Sequence, residues 1–283
     1  MNRILLPILF FLVLYSSCTE RIDLELDSSY DRLVVEGIIT SDTAAHLVRL
    51  EKTSDYFNPS EVPVISGASV TISDNMGNVV LLSEESPGSY FTPPDFYGVV
   101  GREYKLEITG VDIDGDGESE SYYAESTLKD VPYIDSIHIK YREYWTRLYE
   151  IGLYAFEPGE TKDFYMIKLY KNGKLITDTL TEYSLADDLI FNGNYMWGVG
   201  VYFLEQDKKD EILVFGDKIT LEMSGITEDY YKFLVEAADA TFGENPIFGG
   251  APANVFSNIS GDALGYFTAY SSKRISRTFT GDK

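Results

Sequence analysis

Leu33-Val34-Val35-Glu36-Gly37-Ile38-Ile39 is the first dense β-branched run after the N-terminal segment, and its reading decides the fold. β-Branched side chains lose rotamer freedom in a helix and pack well on a pleated surface, so this run predicts a strand. Similar short runs follow at His46 to Leu50, Ala68 to Ser73, Val79 to Leu82, Arg102 to Thr109 and Ser121 to Thr127. Turn-forming segments separate them, notably Asp74-Asn75-Met76-Gly77-Asn78 and Pro87-Gly88-Ser89. About seven short strands in roughly 100 residues, with turns at near-regular spacing, are the pattern of an immunoglobulin-like β-sandwich. We assign it residues 32–130.

Val131-Pro132-Tyr133 closes that unit, and a second β-rich domain is expected over 131–283. Asp163 to Tyr170 and Lys174 to Leu180 flank Asn172-Gly173, a strong two-residue hairpin signal. Asn192-Gly193 precedes a run from Asn194 to Phe203, and Gly216-Asp217 lies between Ile212–Phe215 and Lys218–Met223. One helix is expected near 227–239. Thr227 can cap it, Glu228 and Asp229 suit its positive end, and Tyr230, Phe233, Leu234 and Ala237 share a face. Gly243 to Ser260 reads as a long ordered loop, either a docking loop or a packed Ω-loop, and Gly265 to Ser271 as the last strand. The expected fold class is therefore mainly β, with an N-terminal sandwich followed by a second β-rich domain carrying one packed helix.

The opening residues place the protein. Met1-Asn2-Arg3, an apolar run from Ile4 to Tyr15, and Ser16-Ser17 before Cys18 form a secretory signal over 1–17. The run is shorter than the roughly 20 apolar residues of a membrane span. Cys18 is the only cysteine, and it stands where a signal cleavage would leave a lipidated N-terminus. Several acyl chains on one residue give stable anchoring. Residues 18–31 then read as a tether. A lipidated Cys18 leaves no thiol for disulfides, metal or nucleophilic chemistry. The net charge of −23 argues against nucleic acid and against anionic lipid surfaces.

Catalytic signals are lacking. His46 and His138 fall in predicted strands without metal-ligand spacing, and no G-x-S-x-G, H-E-x-x-H or phosphate loop is present. With 46 acidic residues, carboxylate pairs arise by chance. The chain reads as a non-enzyme. The strongest local pattern is Asp112-Ile113-Asp114-Gly115-Asp116-Gly117-Glu118, with Glu120 beyond it. Asp112, Asp114 and Asp116 supply hard oxygen ligands on a tight loop, Glu118 a backbone carbonyl and Glu120 a further carboxylate, which suits calcium. Tyr123 stands where an EF-hand has its bidentate Glu, and a solvated acidic hairpin is the competing reading. For ligand or partner contact, Tyr141, Tyr144, Trp145 and Tyr149 among charged residues are the first candidates, and Tyr195, Trp197 and Tyr202 the second. An alternating strand with one buried face explains the same spacing.

The order of several segments resembles one family. Leu33 to Thr40, Val48-Arg49-Leu50 with Asp55-Tyr56-Phe57, Val64 to Ala68 with Val70-Thr71-Ile72, and Gly88-Ser89-Tyr90 carry the resemblance. Gly101-Arg102-Glu103-Tyr104, Ile134-Asp135-Ser136-Ile137 and Asn258-Ile259-Ser260-Gly261 with Leu264 to Phe267 continue it. Together they are similar to a Bacteroidota outer-membrane lipoprotein family catalogued as domain of unknown function forty-two forty-nine. The resemblance implies a lipid anchor in the outer membrane, facing the cell exterior. It also implies work beside a SusC-like TonB-dependent transporter and companion lipoproteins in nutrient uptake, and no known catalytic residues. An independent glycan- or peptide-binding or adhesion module is the alternative. The hairpin after Thr109, short in the family pattern, is here extended by the acidic loop. O-glycosylation at D-[S/T]-apolar tripeptides is also implied, with Thr43 in Asp42-Thr43-Ala44 the first candidate over Ser136 and Thr179.

Overall fold

A computed structural model describes residues 31–53, 62–143, 147–241 and 255–281. The first strands are β1 (Leu33–Thr40), β2 (Leu47–Lys52), β3 (Ser69–Asp74), β4 (Val79–Leu81), β5 (Ser83–Ser86), β6 (Ser89–Phe91), β7 (Glu103–Val111) and β8 (Glu120–Thr127). β1, β2, β6 and β5 lie side by side, while β4, β3, β7 and β8 form a separate four-stranded sheet. The chain thus crosses between sheets after β2, after β4 and again after β6, the strand exchange of an immunoglobulin-like sandwich. Alternation decides which side chains meet between the sheets. Leu33, Val35, Val48, Leu50, Val70, Ile72, Leu106 and Ile108 point inward and are almost fully buried.

The second set is β9 (Ile134–Glu143), β10 (Arg147–Phe156), β11 (Phe164–Lys171), β12 (Lys174–Leu175), β13 (Ser184–Asp187), β14 (Tyr195–Glu205), β15 (Lys218–Ile226) and β16 (Leu264–Thr278). β14, β10 and β9 make a three-stranded sheet, and β11 pairs with β12, β13 and β15. These two layers enclose a separate core that includes Ile137, Ile151, Leu153, Ile167, Leu169, Leu221 and Met223. Asn172 and Gly173, at φ of 53° and 84°, turn β11 into β12 as the Asn-Gly pair demands. Ile212–Phe215, expected as a strand, is a loop: Gln206 and Asp217 side chains accept the Leu213 and Val214 amides that a ladder would need. Lys174–Leu180 likewise pairs only over its first two residues before the chain turns.

β16 joins the two halves. Its first half, Leu264 to Tyr270, runs parallel to β1, and its second, Ser271 to Thr278, runs antiparallel to β15. One continuous sheet therefore spans both sandwiches. The expected boundary at 130/131 does separate two hydrophobic clusters, yet Phe267 and Ala269 of β16 belong to the first of them. The segment at the boundary is tied to β16: Lys129 carbonyl accepts from the Ser271 hydroxyl at 2.9 Å, and the Lys273 ammonium donates to the Val131 carbonyl. Helix α1 (Glu228–Thr241) starts where Thr227 Oγ1 accepts the Tyr230 amide at 3.2 Å. Its Tyr230 and Leu234 cover Tyr266 and Tyr270 of β16 and Phe164 and Met166 of β11 on the sheet's outer side.

Candidate functional site

The acidic hairpin between β7 and β8 gathers three of its predicted ligands. Asp112, Asp114 and Asp116 are exposed and bring carboxylate oxygens within 4.8 Å of one another. Those oxygens are already engaged: Asp112 accepts the Gly115 and Gly117 amides, Asp114 the Asp116 amide and Asp116 the Glu118 amide. Glu120 turns back to accept the Ile113 amide at 3.2 Å, and its carboxylate does not join the trio. These bonds are what an Asp-Gly turn makes by itself.

Of the first aromatic candidates, Tyr141 and Tyr149 follow the alternative of an alternating strand with one buried face. Tyr141 and Tyr149 face one another across β9 and β10 with ring centroids 5.5 Å apart, and Tyr149 meets Phe279 at 4.8 Å. Both sit on the inner face of their sheet, half-buried, with Tyr149 packed against the second core. They are packing residues. Tyr144 and Trp145 lie outside the described residues, as do Cys18, most of the 18–31 tether, and residues 242–254 of the Gly243–Ser260 loop. Tyr202 also points inward, toward the second core.

The opposite face of that sheet carries the exposed aromatics. Trp197 stands opposite Tyr154, and Tyr195 opposite Phe156, so period-two alternation places all four outward together. Trp197 is 79% exposed and leans on Tyr195 at a centroid distance of 4.5 Å. The Tyr195 hydroxyl donates to Asp135 Oδ2 at 2.6 Å, which fixes the ring. Below this row, Gly152 pairs with His138, and Gly198 lies against the same ring. A Cβ on Gly152 would come within 2.1 Å of the His138 ring, so glycine there is what lets the imidazole lie on the sheet. His138 also meets Tyr154 edge-on at 5.7 Å.

Charge closes the row. Arg142 donates to both oxygens of Glu150, at 2.9 and 3.0 Å, and His138 Nε2 lies 3.3 Å from Glu150 Oε1. The Arg142 guanidinium holds the Glu150 carboxyl below its ordinary range against the opposing effect of burial. The outer face thus offers an aromatic platform with a fixed polar margin, the composition of contact surfaces for sugars, peptides and protein partners.

Behind the sheet, a cleft of about 700 Å³ opens between β14 and β13. Leu153, Tyr183, Ile190, Tyr202 and Phe203 line it, together with the carboxylates of Glu157 and Asp188. Ile190, one of its lining residues, is 79% exposed. Those two acidic residues carried no motif in the sequence, since Glu157 is a lone carboxylate after β10 and Asp188 one of an Asp187-Asp188 pair that matches no ligand spacing. Thr43, by contrast, lies where expected, exposed in the bend after β1, while its neighbour Asp42 pairs with Arg274 at 3.0 Å.

Two β-sandwiches sharing one sheet, with a helix on the shared layer, define the class: a mainly β, immunoglobulin-like protein. The family described as Domain of unknown function (DUF4249) matches residues 19–276, and the chain belongs to it. No curated protein matches the sequence. Among solved structures, it is similar to a two fibronectin type-III domain segment from chicken tenascin. The identity is 12%, covering 69% of this chain and 90% of that one, with a TM-score of 0.20.

Proposed function

We propose that this protein is an outer-membrane lipoprotein, held by lipid on Cys18 and facing the cell exterior, that serves as an accessory subunit of a SusC-like TonB-dependent nutrient uptake complex. The signal-and-cysteine pattern of residues 1–18 supports the anchor. Family membership, with the resemblance to Bacteroidota lipoproteins, supports the setting. The observation that carries a binding role is the outward aromatic row of Tyr154, Phe156, Tyr195 and Trp197 on a sheet whose other face packs on the second core. An exposed aromatic cluster with a polar margin marks a contact surface more often than an idle one.

The test is co-purification from native membranes in mild detergent, with the captured barrel identified by mass spectrometry. Wild-type protein is expected to bring down a SusC-like barrel and companion lipoproteins. W197A, which removes an outward ring and leaves the core intact, is expected to release them while its thermal melt is unchanged. A second reading has one specific observation behind it: the indole of Trp197 is 79% exposed, beside a Tyr195 ring that Asp135 holds, and an open aromatic face with a polar neighbour is what sugar rings stack on. In that case the protein purifies alone and shows saturable glycan binding that W197A abolishes, an outcome that sinks the accessory role.

A further inference from the structure

The loops after β10, before β11 and after β13 bring three carboxylates together with nothing basic among them. Glu157 follows β10, Asp163 precedes β11 and Asp188 follows β13, and one ligand oxygen from each lies within 4.8 Å of the others. Glu157 is 1% exposed and Asp188 3%. The chain itself holds each group in place. The Tyr165 hydroxyl donates to Glu157 Oε1 at 2.6 Å, the Thr161 hydroxyl to Asp163 Oδ2 at 2.5 Å, and the Asp163 amide to Asp188 Oδ2 at 3.0 Å. Glu157 Oε2 differs from the rest, because it is buried and no donor reaches it. Among the described residues, no Lys, Arg or His forms an ion pair with any of the three.

Like charges held this close away from water repel, and a buried carboxylate oxygen without a partner is costly. Burial, with the charges of Asp163 and Asp188 beside it, pushes the Glu157 carboxyl up to about 7. A cation among the three removes both costs. The donors are all oxygen, with no imidazole or thiolate, which selects a hard ion over zinc or copper. Calcium tolerates irregular oxygen geometry and takes water for its remaining positions, whereas magnesium demands a near-ideal octahedron. The geometry points to a calcium-class divalent cation site formed by Glu157, Asp163 and Asp188. The ion ties the end of β10, the start of β11 and the end of β13 together beside the cleft, which Glu157 and Asp188 line. This site is independent of the docking reading and of the exposed Asp112–Asp116 hairpin.

The test uses the full chain purified in detergent and stripped with chelator. Terbium reports the site through sensitisation by Tyr165, whose hydroxyl touches Glu157, and calcium competes it away. One saturable equivalent is expected in the wild type, weakened at least about tenfold by E157Q and by D188N. The triple variant D112N/D114N/D116N is expected to bind as the wild type does. No binding at millimolar calcium overturns the proposal, as does binding that survives E157Q and D188N or disappears in the hairpin variant. Should the two carboxamide variants fail to fold, Y165F decides. Loss of terbium emission with calcium binding retained by calorimetry upholds the site, and unchanged emission rejects it.

Discussion

Asn258 uses both ends of its side-chain amide on backbone. Its Nδ2 donates to the Glu125 carbonyl at 3.1 Å and the Phe267 carbonyl at 2.8 Å, and its Oδ1 accepts the Phe267 amide at 2.9 Å. It thereby pins the start of β16 to the edge of β8. N258A leaves partly buried backbone groups unpaired and is expected to cost ~1–3 kcal/mol in urea unfolding. His46 makes the pH prediction. Its Nε2 lies 3.1 Å from the Asp42 carbonyl, its ring meets Phe96 edge-on, and burial, outweighing Asp42, lowers its pKa from 6.5. The folded chain then binds fewer protons at His46 than the unfolded chain, so this contribution to stability is lost as pH falls through about 6.5. Glu157, raised in the folded state, acts with the opposite sign in the same window, so the comparison must be between proteins. H46Q is expected to lose less stability than the wild type on acidification; equal slopes in pH-resolved melts would contradict the assignment. Neither role was legible in the sequence. His46 read correctly as a strand-region structural residue, but its partners are set by the turn that brings Asp42 and Phe96 to it.

At the level of elements, alternation was legible and its absolute phase was not. Tyr141, Tyr149, Trp197 and Tyr154 all sit in aromatic-rich strands. Sequence spacing cannot say which of a strand's two faces meets the core when both carry aromatics. Register supplies the answer by pairing Trp197 with Tyr154 outward and Tyr141 with Tyr149 inward. The helix was the reverse case, because its cap, first-turn acids and apolar stripe are all local signals. β16 depends on one backbone position. Gly265 has φ of +92°, and a Cβ there would approach the Val35 carbonyl oxygen to 2.0 Å. G265A combines left-handed strain with a clash across the β1–β16 ladder. It is expected to lower stability by at least ~2 kcal/mol, seen as a drop in Tm with faster amide exchange in β1.

For the whole molecule, β16 converts two expected domains into one shared sheet. Residues 32–130 contain every strand of the first sandwich except the one that covers β1 and contributes Phe267 and Ala269 to its core. That fragment expressed alone is expected to show no cooperative melt and to associate through the bare β1 edge. A sharp monomeric transition would restore the two-domain description. The amino-acid sequence by itself determined the strand and turn periodicity, the immunoglobulin-like class of the opening, the capped helix and the lone cysteine. Each rests on residues adjacent in the chain, where propensity and spacing act directly. Only the tertiary structure decided that β16 serves both sandwiches, that Trp197 rather than Tyr149 faces outward, and that Glu157, Asp163 and Asp188 converge. Those outcomes depend on register and on loop ends meeting across the fold, and such long-range contacts leave no local mark in a chain with 46 acidic residues.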